Sequence, residues 1–108
     1  MAKFDLYKSE NGEFRFRLKA TNGQIILVSE GYTTKAAAMN GITSVGKNAR
    51  RKGAFETKGG RNKKHYFTLK STNGQVIGAS QGYTDDAGCK KGMESVRKNA
   101  GAEVVDLS

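Results

Sequence analysis

The chain is written twice. Residues 16–49 recur at 67–100 with a constant offset of 51: Phe16-Arg17-Leu18-Lys19-Ala20-Thr21-Asn22-Gly23-Gln24 is answered by Phe67-Thr68-Leu69-Lys70-Ser71-Thr72-Asn73-Gly74-Gln75. Ser29-Glu30-Gly31-Tyr32-Thr33 is answered by Ser80-Gln81-Gly82-Tyr83-Thr84, and Ser44-Val45-Gly46-Lys47-Asn48-Ala49 by Ser95-Val96-Arg97-Lys98-Asn99-Ala100. Phe4 and Phe55 keep the same spacing. A repeat of about 50 residues buries too little surface to be more than marginally stable, whereas a chain of twice that length buries roughly two-thirds of what its unfolded form exposes. The two copies are therefore expected to share one core: residues 1–52 form the first repeat, 53–108 the second, and together they make one compact domain. The matched positions are turn, cap and core residues, without an acid, a histidine or a cysteine. They specify an architecture and leave the chemistry open.

Each copy reads the same way locally. Phe14-Arg15-Phe16-Arg17-Leu18-Lys19 alternates apolar and cationic residues, the period of a strand with one buried face, and His65–Lys70 repeats it with Phe67 and Leu69 inward. Asn22-Gly23 and Asn73-Gly74 follow, the pair that favours a two-residue hairpin turn. Strands Gln24–Val28 and Gln75–Ala79 come next. Thr33 and Thr84 are expected to cap the helices that follow, with Asp85 and Asp86 in the second helix's first turn. Ala38, Gly41, Ile42, Val45 and Ala49 make one apolar helical face, and Cys89, Gly92, Met93, Val96 and Ala100 make its twin. Gly53 and Gly101 suit the helix ends. Extended pieces follow at Ala54–Thr57 and Glu103–Leu107, and Phe4–Tyr7 supplies a strand at the start. A helix with one apolar stripe must cover something, and the inner side of the hairpins is the available surface. The expected fold is α+β and two-layered, one mainly antiparallel sheet with both helices on one face.

A two-residue turn leaves a conflict. It would put Ile25 and Leu27 on the face of Leu18, and leave Ile26 and Val28 beside Arg17 and Lys19, with Ile77 and Ala79 in the same position in the second copy. Either the outer face is partly apolar or the turn is longer than two residues.

The Phe-x-Leu-Lys, Asn-Gly, Ser-x-Gly-Tyr-Thr and Ser-Val-x-Lys-Asn-Ala blocks, in this order and twice over, resemble the YegP-like family of uncharacterised bacterial proteins. The resemblance covers nearly the whole chain. It implies a β(3)-α-β unit, found as a tandem repeat or as two subunits, whose C-terminal strands (here Ala54–Thr57 and Glu103–Leu107) are exchanged between units into one sheet. It implies no activity and transfers no catalytic or binding residue.

Catalytic chemistry has little to work with. His65 occupies the strand position of Phe14, and no partner for it is evident within the hydrogen-bond reach that general base catalysis needs. Cys89 takes the place of Ala38 on the apolar helix face, where a thiol behaves as a small hydrophobe. One histidine and one cysteine cannot supply a zinc site. Gly59-Gly60-Arg61-Asn62-Lys63-Lys64 is a basic loop and not a P-loop, because no Gly-Lys-Ser/Thr follows four spacer residues and no helix opens behind it. Gly41 and Gly92, costly inside helices, point to close helix–sheet approach. Asn48 and Asn99 are read as partners of the local backbone. No cofactor or metal is expected.

Charge is the remaining lead. The formal net charge is +9, and between Lys47 and Lys64 eight basic residues face only Glu56, so that window alone carries +7. Arg50, Arg51, Lys52, Arg61, Lys63 and Lys64 could contact phosphates, a mode that weakens steeply with salt. The outer sheet face should show Arg15, Arg17 and Lys19 beside Tyr66, Thr68 and Lys70, a surface able to hold single strands by charge and stacking. The sequence thus points to a non-enzymatic binding or interaction module of undefined target, with a nucleic-acid or other polyanion binder as the alternative. No apolar run approaches the roughly 20 residues of a membrane span, and the start lacks a secretory pattern. With one cysteine, the expected setting is the cytoplasm, and the expected state a monomer with internal pseudo-two-fold symmetry.

Overall fold

Among the described residues, alternation and turn chemistry produce seven strands and two helices, in the order β1 (Lys3–Lys8), β2 (Phe14–Lys19), β3 (Ile25–Ser29), α1 (Lys35–Asn48), β4 (Phe55–Gly59), β5 (His65–Lys70), β6 (Val76–Ala79), α2 (Asp86–Asn99) and β7 (Glu103–Asp106). The computed structural model describes residues 2–51, 53–59 and 64–108. The strands form one open sheet ordered β4-β5-β6-β3-β2-β1-β7. All neighbours are antiparallel except β1 and β7, which run parallel from Lys3↔Glu103 to Leu6↔Asp106. The strand after each helix joins the opposite half: β4 pairs with β5, and β7 pairs with β1. The two halves meet where β3 lies against β6 at Val28↔Ala79 and Ser29↔Gly78.

Both helices lie on one side of the sheet, with α1 over β2, β5 and β6 and α2 over β5 and β3. A single apolar cluster joins Phe4, Phe16, Leu18 and Val45 from the first repeat with Phe67, Leu69, Cys89 and Val96 from the second. The radius of gyration is 13.1 Å, matching the roughly 13 Å of a single domain of this length and not two lobes. The duplication extends to ring packing. Phe16 stacks on Tyr32 at 6.2 Å, and Phe67 on Tyr83 at 6.3 Å.

The hairpin conflict resolves as a longer turn. Gly23 donates to the Ala20 carbonyl at 2.9 Å and Ala20 donates to the Gln24 carbonyl at 2.9 Å, so the loop holds three residues. Gly23, the last of them, takes a positive φ of 84°. Asn22 Oδ1 accepts the Gln24 amide at 3.0 Å, a local side-chain bond that braces this turn. Ile26 is then the extra residue of a β-bulge between Leu18↔Leu27 and Lys19↔Ile25. A bulge sets two residues against one and re-aims them; Ile26 and Leu27 are both buried. Val28 still stands opposite Arg17, and Ala79 opposite Thr68, so the middle of the outer face is partly apolar as well.

The helix caps lie one residue later than expected. Thr34 accepts from the Ala37 amide at 3.1 Å, and Asp85 from the Gly88 amide at 2.7 Å, leaving Asp86 as the first-turn acid. Thr33 and Thr34 offer the same hydroxyl, and only the direction of entry into the helix chooses between them. The retained serines and asparagines are structural. Ser29 Oγ accepts the Phe16 amide at 2.9 Å, and Ser80 Oγ the Phe67 amide at 3.0 Å. Asn48 and Asn99 each donate to a serine carbonyl one turn back at 2.8 Å.

Candidate functional site

The outer sheet face carries the Arg15, Arg17 and Lys19 row, but acids meet it there. Asp5, on the neighbouring strand β1, is almost fully buried with its side chain 2% exposed. Its Oδ2 lies 3.0 Å from Lys19 Nζ and 3.3 Å from Arg17 Nε, and Lys3 Nζ stands 4.0 Å from Oδ1. Arg15 sits 3.6 Å from Glu13. Arg17 also lies over the Tyr7 ring at 4.8 Å, so that aromatic face is covered. In the second repeat Glu56 does the work of Asp5, binding Lys70 at 2.6 Å and Lys58 at 3.8 Å. Asp5 and Glu56 differ by the repeat offset of 51. That acidic pair was the available signal that the row would be neutralised, and a search for identical residues passes over it.

Burial pushes the Asp5 carboxyl up, but the hydrogen bonds from Lys19 and Arg17 and the charges of Lys19 and Lys3 outweigh it and hold the group below the ordinary carboxylate value. A lowered native pKa contributes stability that is complete above the unfolded value of about 4 and disappears as pH falls through the native one. Asp5→Asn is expected to cost about 1–3 kcal/mol at neutral pH and to flatten the loss of stability below about pH 4. Urea unfolding across pH 2–7 checks this. Parallel acid limbs for variant and parent would show that Asp5 carries no such linkage.

The cations after α1 have different fates. Arg51 is built into the fold: its Nε donates to Asn48 Oδ1 at 3.1 Å and its terminal nitrogen to the Lys70 carbonyl at 3.0 Å. Arg50 and Lys64 are exposed. Lys52, Arg61 and Lys63 lie outside the described residues. Among the described residues, acids match the row on the sheet and the fold uses Arg51, which leaves Arg50 and Lys64 exposed.

A groove lies elsewhere. Between α2 and the β2–β3 turn, adjoining clefts share Ala20, Lys91 and Ser95 at one junction and Thr21, Lys98 and Asn99 at the next. They run from Tyr83 to Arg50. Lys91, Lys98 and Arg50 line this groove, and among the described residues none of the three has an acid within ion-pair distance. Its two acids are Glu94, which Arg97 holds at 3.0 Å, and Glu103. Lys91 belongs to no repeated block, and Lys98 belongs to one without standing out. What marks them is the turn brought over from the other repeat, a contact that local spacing does not announce.

The groove's inner end also has a twin. The cleft of about 280 Å3 beside Tyr83, Gly92, Ser95 and Gln24 corresponds, residue for residue at the repeat offset, to one of about 180 Å3 beside Tyr32, Gly41, Ser44 and Gln75. Each pairs a helix of one repeat with the turn of the other. Burial pushes both tyrosine hydroxyls up, with Glu30 adding to the effect at Tyr32 and Cys89 at Tyr83. The charges differ, because Asn40 stands where the second copy has Lys91.

Neither reactive candidate enters these clefts. Cys89 is fully buried, and burial, then Asp86, push its thiol up. The His65 backbone exchanges hydrogen bonds with that of Tyr83 at 2.7 and 2.6 Å. Among the described residues no three of His, Cys, Asp and Glu converge as metal ligands would, and no helix is long and apolar enough to cross a membrane.

Comparison with known proteins agrees with this architecture. The family model described as a domain of unknown function, DUF1508, matches twice, at residues 9–56 and 61–106. A UPF0339 protein of Pseudomonas aeruginosa is 52% identical over 97 residues, covering 90% of this chain and 88% of its own. The UPF0339 protein YegP of Yersinia pestis is 42% identical over 97% of this chain and 94% of its own. The solution structure of yegP from E. coli, a protein of unknown function, superposes with a TM-score of 0.92 at 43% identity, covering 98% of this chain and 92% of that one. A second solution structure, a UPF0339 protein of Shewanella oneidensis, matches with the same TM-score over 98% and 91%. With its repeats, sheet order and relatives in agreement, this chain belongs to the UPF0339 family, the YegP-like proteins, and carries the DUF1508 domain in tandem.

Proposed function

We propose that the protein is a non-enzymatic binding module, that the groove along α2 is its contact surface, and that its target is a polyanion, with nucleic acid the class that fits best. The observation that carries this reading is the sorting of the cations. Those on the sheet face are matched to Asp5, Glu13 and Glu56, whereas Lys91, Lys98 and Arg50 line a concave surface and meet no acid among the described residues. Unmatched cations in a groove exchange condensed counterions for phosphates, which is the main source of non-specific nucleic-acid affinity. The Thr21 hydroxyl and the Asn99 side chain at the same wall add polar contacts. The non-enzymatic part of the reading is supported by the buried, poorly ionised thiol of Cys89. A cytoplasmic monomer belongs to the same reading, since one chain already contains both halves of the sheet and its single cysteine is free.

Titration with mixed-sequence single- and double-stranded oligonucleotides tests it. Binding is expected at about 50 mM salt, with log K falling against log salt at a slope of about −2 to −3, as three phosphate contacts require. Arg50→Glu with Lys98→Glu should weaken binding at least tenfold. No binding at low salt would remove the proposal. Binding that ignores this pair but is lost on reversing Arg15, Arg17 and Lys19 would move the site to the sheet face.

A further inference from the structure

The two ends of the sheet are equivalent in sequence and differently finished. β1 and β4 are twins at the repeat offset, each antiparallel to its hairpin partner in the same register, with Phe4↔Leu18 matching Phe55↔Leu69. Beyond β1 the sheet continues into β7, but β4 is the other edge. The cause is topological. The chain leaving α2 runs into β7, whereas only six residues separate the end of α1 at Asn48 from the start of β4 at Phe55, too little chain to lay a strand beside it and return.

We infer that the β4 edge is a docking site for an extended peptide from a partner protein, added parallel to β4 as β7 is added to β1. The twin edge shows which backbone groups would serve. The Leu6 carbonyl accepts the Leu107 amide at 2.7 Å. The Leu6 counterpart is Thr57. On β4 the Ala54 carbonyl accepts from Lys70 at 2.8 Å and so faces β5, and the alternation of the strand turns the Phe55 and Thr57 backbone groups outward. Strand addition of this kind takes affinity from the main chain and selectivity from the alternate side chains.

The twin also supplies the selectivity. Val104 packs on the core beside Phe4 and pairs with it, so an apolar residue belongs beside Phe55. Asp106 is held by Lys35 at 2.8 Å. The Lys35 counterpart is Asp86, whose side chain is 58% exposed and, among the described residues, pairs only with Lys90 on its own helix. An acid at that position repels a copy of β7 and selects a basic residue. The occupant is therefore not a second molecule's C-terminal strand but a foreign segment with a cation where β7 carries Asp106. Arg97 lies over the Phe55 ring at 5.1 Å, at a helix position where the first repeat has Gly46. Together with Lys58 it blunts the empty edge, as edge strands need if they are not to aggregate. An arriving strand would displace it towards Glu94, its existing partner at 3.0 Å.

The test uses the intact protein and two peptides, one of sequence Ala-Glu-Val-Val-Asp-Leu-Ser, copied from residues 102–108, and one with Lys in place of the Asp. Amide resonances of Phe55–Gly59 are followed by NMR. The lysine peptide is expected to shift them and to bind at least fivefold more tightly than the copied one, and Asp86→Lys should reverse that order. N-methylation of the peptide leucine amide, which mimics the Leu107 donor, should abolish binding without touching the protein. Unmoved β4 resonances at millimolar lysine peptide, equal binding of both peptides, or concentration-dependent self-association through β4 would each overturn the inference.

Discussion

Separated at the repeat boundary, neither 1–52 nor 53–108 should be a folded monomer, while an equimolar mixture should recover a cooperative melt. The reason lies in what each half would expose. α1 rests on β5 and β6 as well as on β2, and α2 on β3 as well as on β5, so each helix loses part of its floor. Phe67, Leu69 and Cys89 belong to the same buried cluster as Phe16, Leu18 and Val45, and a cut through it leaves both parts with half a core. A chain of about 50 residues is already marginal by surface-to-volume scaling, and losing a shared interior takes it below threshold. Circular dichroism melts of each fragment and of the mixture, with sedimentation to establish mass, decide the matter. A first fragment that melts cooperatively as a monomer would refute the shared core.

The second large effect is expected at the helical glycines, where two physical terms oppose each other. Gly41→Ala should gain about 1 kcal/mol of helix propensity. A Cβ at Gly41 would, however, lie 2.5 Å from Tyr32 Oη and 2.8 Å from Phe16 Cε2. Overpacking of this kind costs about 1–3 kcal/mol, and the stacked pair Phe16–Tyr32 cannot retreat without disturbing β2. The net expectation is a loss of up to about 2 kcal/mol, or up to roughly 15 °C in Tm for a domain of this size. Gly92→Ala should behave alike, since its Cβ would strike Tyr83 Oη and lie 3.0 Å from Phe67 Cε2. Gly46→Ala in the same helix is the control: its nearest neighbour is the Ala100 carbonyl at 3.6 Å, so propensity should win and stability rise. If Gly41→Ala and Gly46→Ala shift Tm in the same direction, the tyrosine contact is not what keeps glycine in the helix.

These glycines were legible in the sequence because duplication acts as a filter. Glycine costs stability inside a helix, so its presence at Gly41 and at Gly92 required a reason in packing. The strands, both helical faces and the roles of Asn48 and Asn99 followed from periodicity and spacing in the same way. Turn type did not, because Asn-Gly serves two hairpin geometries; the Asn22 side chain braces the longer one through the Gln24 amide, and Ile26 follows as a bulge. The charge pattern was legible as composition but not as a surface. Arg17 and Lys19 are separated from Asp5 by a strand and a turn, and Arg51 finds its carbonyl acceptor at Lys70 in the other repeat. Lys91 and Lys98 draw their significance from Ala20 and Thr21 across the groove. Local pattern fixes which face a residue occupies, whereas its electrostatic partner is set by tertiary contacts.

The parallel pairing of β1 with β7 has a mechanical consequence. Lys3 at the head of one strand lies beside Glu103 at the head of the other, so Asp106 sits at the far end of the pair from Lys3. A pull on the chain outward from Lys3 and from Asp106 therefore acts along the strands, and their hydrogen bonds carry the load together in shear instead of unzipping one at a time. The molecule is braced as a lap joint against tension from either side.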